Sequence, residues 1–121
     1  IKRLLLQTSS KTNPTLTKGF ENSLMMKKSW SETLVELNKQ GFSKIVLLGG
    51  IKLINSILLE DNIDELQLTI TPRIIGGTYT WIDSELKNIP KVLTKSSAWI
   101  LTEMKDLGSS EIMLLYQRNK S

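Results

Sequence analysis

Two adjacent glycines at the end of an apolar run are the residues of this sequence that most clearly suggest a binding site. Gly49 and Gly50 follow the run KIVLL, and the apolar spacing after them is that of a helix. The first N–H groups of a helix have no partners within it and lie at the positive end of its dipole, so they bind phosphate where no side chain blocks the approach. The pair is part of neither a Walker loop nor a G-x-G-x-x-G fingerprint. It therefore indicates either an anion site, to which Lys52 could add charge, or a tight turn without a ligand.

The composition limits the chemistry that the protein can perform with its own side chains. Its 121 residues include no Cys and no His. Zinc sites of the Cys/His type, thiol nucleophiles, disulfides and imidazole acid–base catalysis are therefore excluded, and we expect no metal. Any chemistry must therefore use carboxylates, Lys, Arg, Tyr, hydroxyl groups, backbone groups or a cofactor.

Charge and hydropathy indicate which partners to expect. The formal net charge is +4, but the basic residues are scattered and aromatic residues make up only 6% of the chain. A nucleic-acid surface more often has clustered basic residues with interleaved aromatics, so we expect no nucleic-acid partner. No apolar run approaches the ~20 residues of a transmembrane helix. We expect a cytoplasmic protein with a small-molecule substrate, and a homodimer stays possible.

The apolar pattern predicts one α/β domain over residues 1–121, with a mixed, centrally parallel sheet, flanking helices and a C-terminal β-hairpin. Central strands are expected at residues 2–8, 45–48 and 64–71. The run at 45–48 shows little alternation, which suits a strand covered on both faces, whereas 64–71 alternates clearly. The strand–helix–strand order implies parallel pairing with right-handed crossovers. Two final strands separated by LGSS predict the hairpin.

Two helices are predicted between these strands. Ser29 and Glu32 have the spacing of a capping box at the start of the first helix, and Gly41 fits its end. The second helix is expected over residues 51–60, where apolar residues recur with helical spacing. Because it begins directly after the glycine pair, its free N–H groups lie beside those glycines.

The segment LLGGIKLINSILLEDNIDELQLTITPRIIGG resembles the reductase domain of bifunctional riboflavin-biosynthesis deaminase/reductases, which has a dihydrofolate-reductase-like fold. That family tends to read V-E-G-G-x-x-L at the end of a strand, followed by a helix, V-D-E-L, an alternating strand and P-x-L-L-G-G. The matching positions are Gly49, Gly50, Leu53, Asp64, Glu65, Leu66, Pro72, Gly76 and Gly77. The end of the chain, LTEMKDLGSSEIMLLYQR, resembles the closing hairpin of the family, in which a Leu-Gly turn precedes a strand ending near Tyr-x-Arg.

The resemblance implies that the protein transfers hydride from NADPH to a riboflavin-pathway-type pyrimidine or a related pterin-like substrate. In the family, the region from the second glycine into the helix wraps the NADPH pyrophosphate. With Gly49, the residues implied here are Gly50, Ile51, Lys52, Leu53, Ile54, Asn55 and Ser56. The polar turn of Thr8, Ser9 and Ser10 lies where the family contacts the adenosine end of the cofactor. No catalytic residue is indicated.

One position departs from the family pattern in a way that affects the substrate. The family has an acidic residue before the glycine pair, associated with substrate binding, and this chain has Leu48. A leucine cannot pair with a polar amine or hydroxyl of the substrate, so the usual pyrimidine is in question. A degenerate nucleotide-binding or dimerisation module of the same fold, without turnover, is the alternative.

The resemblance also bears on domain organisation. It covers only the C-terminal part of the family domain, and the sequence begins at Ile1 within a strand-like run. We therefore expect the chain to be the C-terminal part of a larger reductase domain. Since the remaining part of that domain carries much of the substrate pocket, the 121-residue chain by itself is expected to be inactive.

Overall fold

The computed structural model describes residues 4–8, 18–76, 82 and 88–121. These residues form five strands, two α-helices and one 3-10 helix, which confirms the predicted mixed α/β class. The chain divides into two compact units, Ile1–Val46 and Leu47–Ser121. The glycine pair and the helix that follows it belong to the second unit.

The first unit contains a pair of parallel strands and one helix. Strand β1, Leu4–Gln7, pairs with strand β2, Asn22–Met25. Helix α1, Trp30–Lys39, follows and buries Thr33 and Leu37. The helix starts where the sequence predicts. The Ser29 hydroxyl caps it by accepting a hydrogen bond from the Glu32 N–H at 3.1 Å.

Helix α1 also ends where the sequence predicts. Gly41 has a φ of +93°, the left-handed conformation that glycine adopts at low cost after a helix. Its N–H donates to the Asn38 carbonyl at 2.9 Å, and the Phe42 N–H donates to the Leu37 carbonyl at 3.0 Å. These two bonds form a Schellman motif, which satisfies carbonyls that have no partner within the helix.

The second unit contains helix α2, Ile51–Leu58, and a three-stranded antiparallel sheet. Strand β5, Glu111–Arg118, lies between strand β3, Glu65–Ile70, and strand β4, Trp99–Gly108. Strands β4 and β5 form the predicted closing hairpin. A short 3-10 helix, Lys91–Thr94, precedes β4. Among the described residues of this unit, the buried apolar ones are Ile57, Leu58, Leu93 and Ala98.

One sheet prediction is wrong and a second is confirmed only in part. Residues 42–50 have no regular secondary structure, so the expected strand at 45–48 is absent, and the side chains of Val46 and Leu48 are exposed. Strand β3 is antiparallel to β5, so the second unit does not contribute the parallel pairing that was expected of it. Among the described residues, parallel pairing occurs only between β1 and β2. An apolar run identifies a segment that could be a strand, but a strand also needs a partner for its backbone N–H and C=O groups, and that partner is remote in sequence.

Neither helix in the described part of the chain has the length and hydropathy that crossing a lipid bilayer requires.

Candidate functional site

The N-terminus of α2 has the geometry that the glycine pair predicts. Gly49 has a φ of +148°, and Gly50, the N-cap residue, has a φ of +85°. No side chain caps the helix, and the first turn is closed by the Ile54 N–H, which donates to the Gly50 carbonyl at 3.0 Å. The N–H groups of residues 51–53 therefore have no acceptor within the helix. They are available to an anion.

The space around the glycines is open. A Cβ added at Gly49 would meet no atom within 4 Å, and one at Gly50 would meet only the Leu53 Cβ, at 3.8 Å. Glycine is therefore required at both positions by backbone conformation and not by crowding from other protein atoms. The side chain of Lys52 is exposed, so it places a positive charge in the same turn.

The remaining residues of the predicted cofactor segment differ in their surroundings. Asn55 is buried, with 5% of its surface exposed, and its Oδ1 has no hydrogen-bond partner. The Ser56 hydroxyl donates to the Leu53 carbonyl at 2.7 Å. Ile51 and Ile54 are half-buried. Among the predicted site residues that the structure describes, only Asn55 combines burial with an acceptor still lacking a donor.

The other predicted site residues are Leu48, Thr8, Ser9 and Ser10. Leu48 directly precedes the glycine pair and is 94% exposed, so it lines no enclosed pocket. Thr8 is exposed and follows β1 in the first unit. Ser9, Ser10 and Gly77 fall outside the residues that the structure describes.

A buried arginine near the C-terminal end of α2 was not predicted. The side chain of Arg118 is 1% exposed, and its Nε and Nη2 donate to the two carboxylate oxygens of Asp61 at 2.7 and 2.9 Å. Its Nη1 donates to the carbonyl oxygens of Ala98, at 2.9 Å, and Asn119. The guanidinium also lies 5.8 Å from the ring centroid of Trp99. The sequence signal for this site was the Tyr-x-Arg at the end of the hairpin.

The pairing changes the titration of both groups. Hydrogen bonds from Arg118 hold the pKa of Asp61 below its usual value, outweighing partial burial, which raises it. The same hydrogen bonds raise the pKa of Arg118. Both groups are therefore charged at neutral pH.

In the described residues, no group of three or more acidic side chains is placed to hold a metal ion.

The mixed α/β fold of this chain, with an uncapped helix that follows two glycines, is similar to the folds of solved structures. One is a protein assigned to riboflavin biosynthesis from Shewanella sp. PV-4, with a TM-score of 0.71 and 22% identity. Another is a pyrimidine reductase-like protein from Corynebacterium diphtheriae, with a TM-score of 0.63 and 18% identity. Each alignment covers 98% of this chain, which spans 61% and 50% of the two longer chains. No curated protein sequence matches the chain significantly.

The chain belongs to the RibD C-terminal domain family, which matches residues 2–112. This confirms the resemblance read from the glycine segments and the closing hairpin. The family is of reductase type and is associated with riboflavin biosynthesis, which accords with the two structural relatives.

Proposed function

We propose that the chain is the nucleotide-binding part of an NADPH-dependent reductase that transfers hydride to a riboflavin-pathway-type pyrimidine or a related pterin-like substrate. The observation that carries the proposal is the open N-terminus of α2 in a member of the RibD C-terminal domain family. When bound, NADPH supplies the hydride, which explains how a chain without Cys or His could take part in a reduction.

The residues present fit such a cofactor. The N–H groups of residues 51–53 would donate to pyrophosphate oxygens, and the exposed Lys52 ammonium would add attraction for the same charge. Asn55 offers a buried carbonyl oxygen without a donor. Because this oxygen is buried within the protein, it is not among the groups that we propose to donate to or accept from the cofactor. The chain's own role is to bind and orient.

A second candidate function follows from Leu48. The family acid at this position is replaced by an exposed leucine, which cannot pair with a polar substrate group. A module of the same fold that binds the nucleotide, or serves dimerisation, without turnover is therefore the alternative. For either function we retain the small-molecule ligand, cytoplasmic location and homodimer as parts of the proposal.

Calorimetric titration with NADPH tests the proposed site. We expect Gly50→Ala to weaken binding about tenfold, because a Cβ at the N-cap stands in the open approach and φ shifts away from +85°. Gly108→Ala is the matched control, since Gly108 has a φ of +81° and open space around it in the β4–β5 turn. Both variants place a Cβ on a residue with a similar positive φ, but only Gly50 adjoins the site. Equal affinities in the two variants would place the site elsewhere.

Turnover distinguishes the reductase from the non-catalytic module. Loss of NADPH absorbance in the presence of an aminopyrimidine ribitol-type substrate would support the reductase. Tight NADPH binding by the whole protein without oxidation, over a range of pyrimidine and pterin substrates, would support the module. We expect the 121-residue chain by itself to bind NADPH without reducing substrate.

A further inference from the structure

One guanidinium connects the end of α2 to the end of the hairpin. Asp61, three residues after α2, accepts both hydrogen bonds of the Arg118 fork. The Arg118 backbone N–H donates to the Asp64 carbonyl at 2.8 Å, and the Asn119 N–H donates to the Ala98 carbonyl at 2.8 Å. Arg118 thus fixes the segment after α2 against both β5 and the turn before β4.

Asp61 occupies a backbone conformation that is uncommon for residues other than glycine, although aspartate tolerates it better than most. Its φ is +53°, in the left-handed region. Its N–H donates to the Leu58 carbonyl at 2.9 Å, and the Asn62 N–H donates to the Ile57 carbonyl at 3.3 Å. This is the Schellman arrangement that ends α1 with Gly41, but here the left-handed position carries an aspartate. A glycine would adopt this conformation more easily, so the carboxylate has a use at this position that offsets the strain.

Among the residues that the structure describes, no buried ion pair holds the opposite end of α2. Residues 42–50 have no regular secondary structure, and Gly49 and Gly50 have no side chains with which to pack. The direction of α2 therefore depends on its buried residues, Asn55, Ile57 and Leu58, and on the attachment of its C-terminal end. A helix of eight residues is about 12 Å long, so a tilt of about 10° about that end moves the first turn by about 2 Å.

We propose that Arg118 is a positioning residue, which acts through Asp61 to set the direction of α2 and hence the place of its N-terminal N–H groups. The effect on direction concerns the fold of the second unit alone. The consequence for the cofactor rests on the proposed function, because those N–H groups are the proposed pyrophosphate donors. A displacement of an ångström or two at such a site is enough to weaken binding or catalysis severalfold or more.

The test separates positioning from stability. Removing Asp61 alone would leave the buried Arg118 charge without its partner and could unfold the chain. The double variant Arg118→Met/Asp61→Gly removes both charges and gives the helix end its favoured residue. We expect it to melt closer to wild type than Arg118→Met does. Lys120→Ala is the control, because it breaks the neighbouring ion pair with Asp64 and leaves the Arg118 fork intact. The side chains of Lys120 and Asp64 are 53% and 82% exposed, respectively.

Two readouts are measured on the 121-residue chain. Residual dipolar couplings of the α2 amides relative to those of β5 report the direction of the helix without any ligand. Calorimetry reports NADPH affinity at a temperature where every variant is folded. We expect the double variant to change the α2 couplings and to bind NADPH on the order of fivefold more weakly, despite its recovered stability. We expect Lys120→Ala to change neither.

The outcomes distinguish this inference from the proposed function. Unchanged couplings in a folded double variant would overturn the positioning role, whatever the affinity. Changed couplings with unchanged NADPH affinity would also overturn it, because the direction of α2 would then not matter to the ligand. Changed couplings in a chain whose wild type binds no NADPH would support the structural role of Arg118 and reject the proposed function.

Discussion

Asp61 has two roles. Its backbone adopts the left-handed conformation that follows α2, and its carboxylate neutralises the guanidinium of Arg118, whose side chain is 1% exposed. Its neighbours Asp64 and Lys120 form a separate pair at 2.8 Å that is largely exposed. Because exposed pairs are screened by water, we assign most of the electrostatic contribution at this end of the sheet to Asp61.

Because the Asp61–Arg118 pair is the less exposed of the two, we expect the stability of the protein in acid to depend on Asp61. Arg118 lowers the pKa of Asp61 from its ordinary 3.8, so the folded state favours the ionised carboxylate. The resulting stabilisation is complete above this ordinary pKa, which the carboxyl has in the unfolded chain, and is lost as the pH falls through the lower folded pKa. We expect the free energy of unfolding of the wild type to fall more steeply below about pH 4 than that of Asp61→Asn, measured by urea unfolding.

Asp64→Asn serves as the control for that measurement. It removes an exposed carboxylate from the neighbouring pair, so its acid profile should follow that of the wild type. A wild-type profile as shallow as that of Asp61→Asn would contradict the role assigned to the buried fork.

Leu48 allows a prediction about substrate choice. A polar substrate group left unpaired costs about 1–3 kcal/mol, so the whole protein should reduce the family's aminopyrimidine ribitol-type substrate poorly. Leu48→Glu should raise its kcat/KM. Because Leu48 is 94% exposed, the substitution should change stability by no more than about 0.5 kcal/mol. Steady-state kinetics and thermal melting measure the two effects.

The matched control for Leu48 is Val46→Glu, which adds the same charge at another exposed apolar residue two positions earlier. It should leave turnover unchanged. Vigorous reduction by the wild type, with no response to Leu48→Glu, would show that the replacement of the acid has no functional meaning.

At the scale of the elements, the Thr33 hydroxyl group connects α1 with the residues after β2 through hydrogen bonds. Thr33 is fully buried, and its Oγ1 donates to the Ser29 carbonyl at 2.8 Å and accepts from the Lys27 N–H at 3.0 Å. The hydroxyl thus satisfies a backbone donor outside the helix and an acceptor at its N-cap. The first turn of α1 depends on this side chain as well as on its N-cap.

We expect Thr33→Val to lower the free energy of unfolding by about 1–3 kcal/mol, although the two side chains have nearly the same shape. The valine leaves the Lys27 N–H without its acceptor. Thr102→Val is the control, because the Thr102 hydroxyl donates to the Leu115 carbonyl at 3.1 Å from an exposed position in β4. Chemical denaturation of both variants should show a loss for Thr33→Val alone, and equal losses would contradict the argument from burial.

At the scale of the whole molecule, the two compact units should respond differently to the proposed cofactor. The glycine pair, α2 and the Arg118 fork all belong to Leu47–Ser121. A ligand that binds the folded state at a concentration of 100 times its Kd stabilises the protein by about 2.7 kcal/mol. We expect NADPH to raise the melting temperature and to slow amide hydrogen exchange at residues 51–53 above all.

The comparison for that measurement is Gly50→Ala at the same NADPH concentration, which should show a smaller rise in melting temperature and less protection. Protection confined to α1 and β2, with none at the start of α2, would contradict the proposed site.

The sequence by itself determined the features whose hydrogen bonds are local. Ser29 and Gly41 defined the ends of α1, the glycine pair located the start of α2, and LGSS located the closing turn. The glycine segments and the hairpin also indicated the family correctly. Each of these signals works because a helix cap, a helix turn or a hairpin is completed within a few residues of chain.

Only the tertiary structure decided which segments pair and what Arg118 does. The apolar run at 45–48 has the composition of a strand but forms none, and β3 pairs antiparallel with β5, more than forty positions later, instead of in parallel. Asp61 and Arg118 are 57 residues apart, and nothing in either neighbourhood indicates the other. Strand partners and buried ion pairs join residues that are distant in sequence, so a local pattern can show that a group needs a partner without showing which residue supplies it.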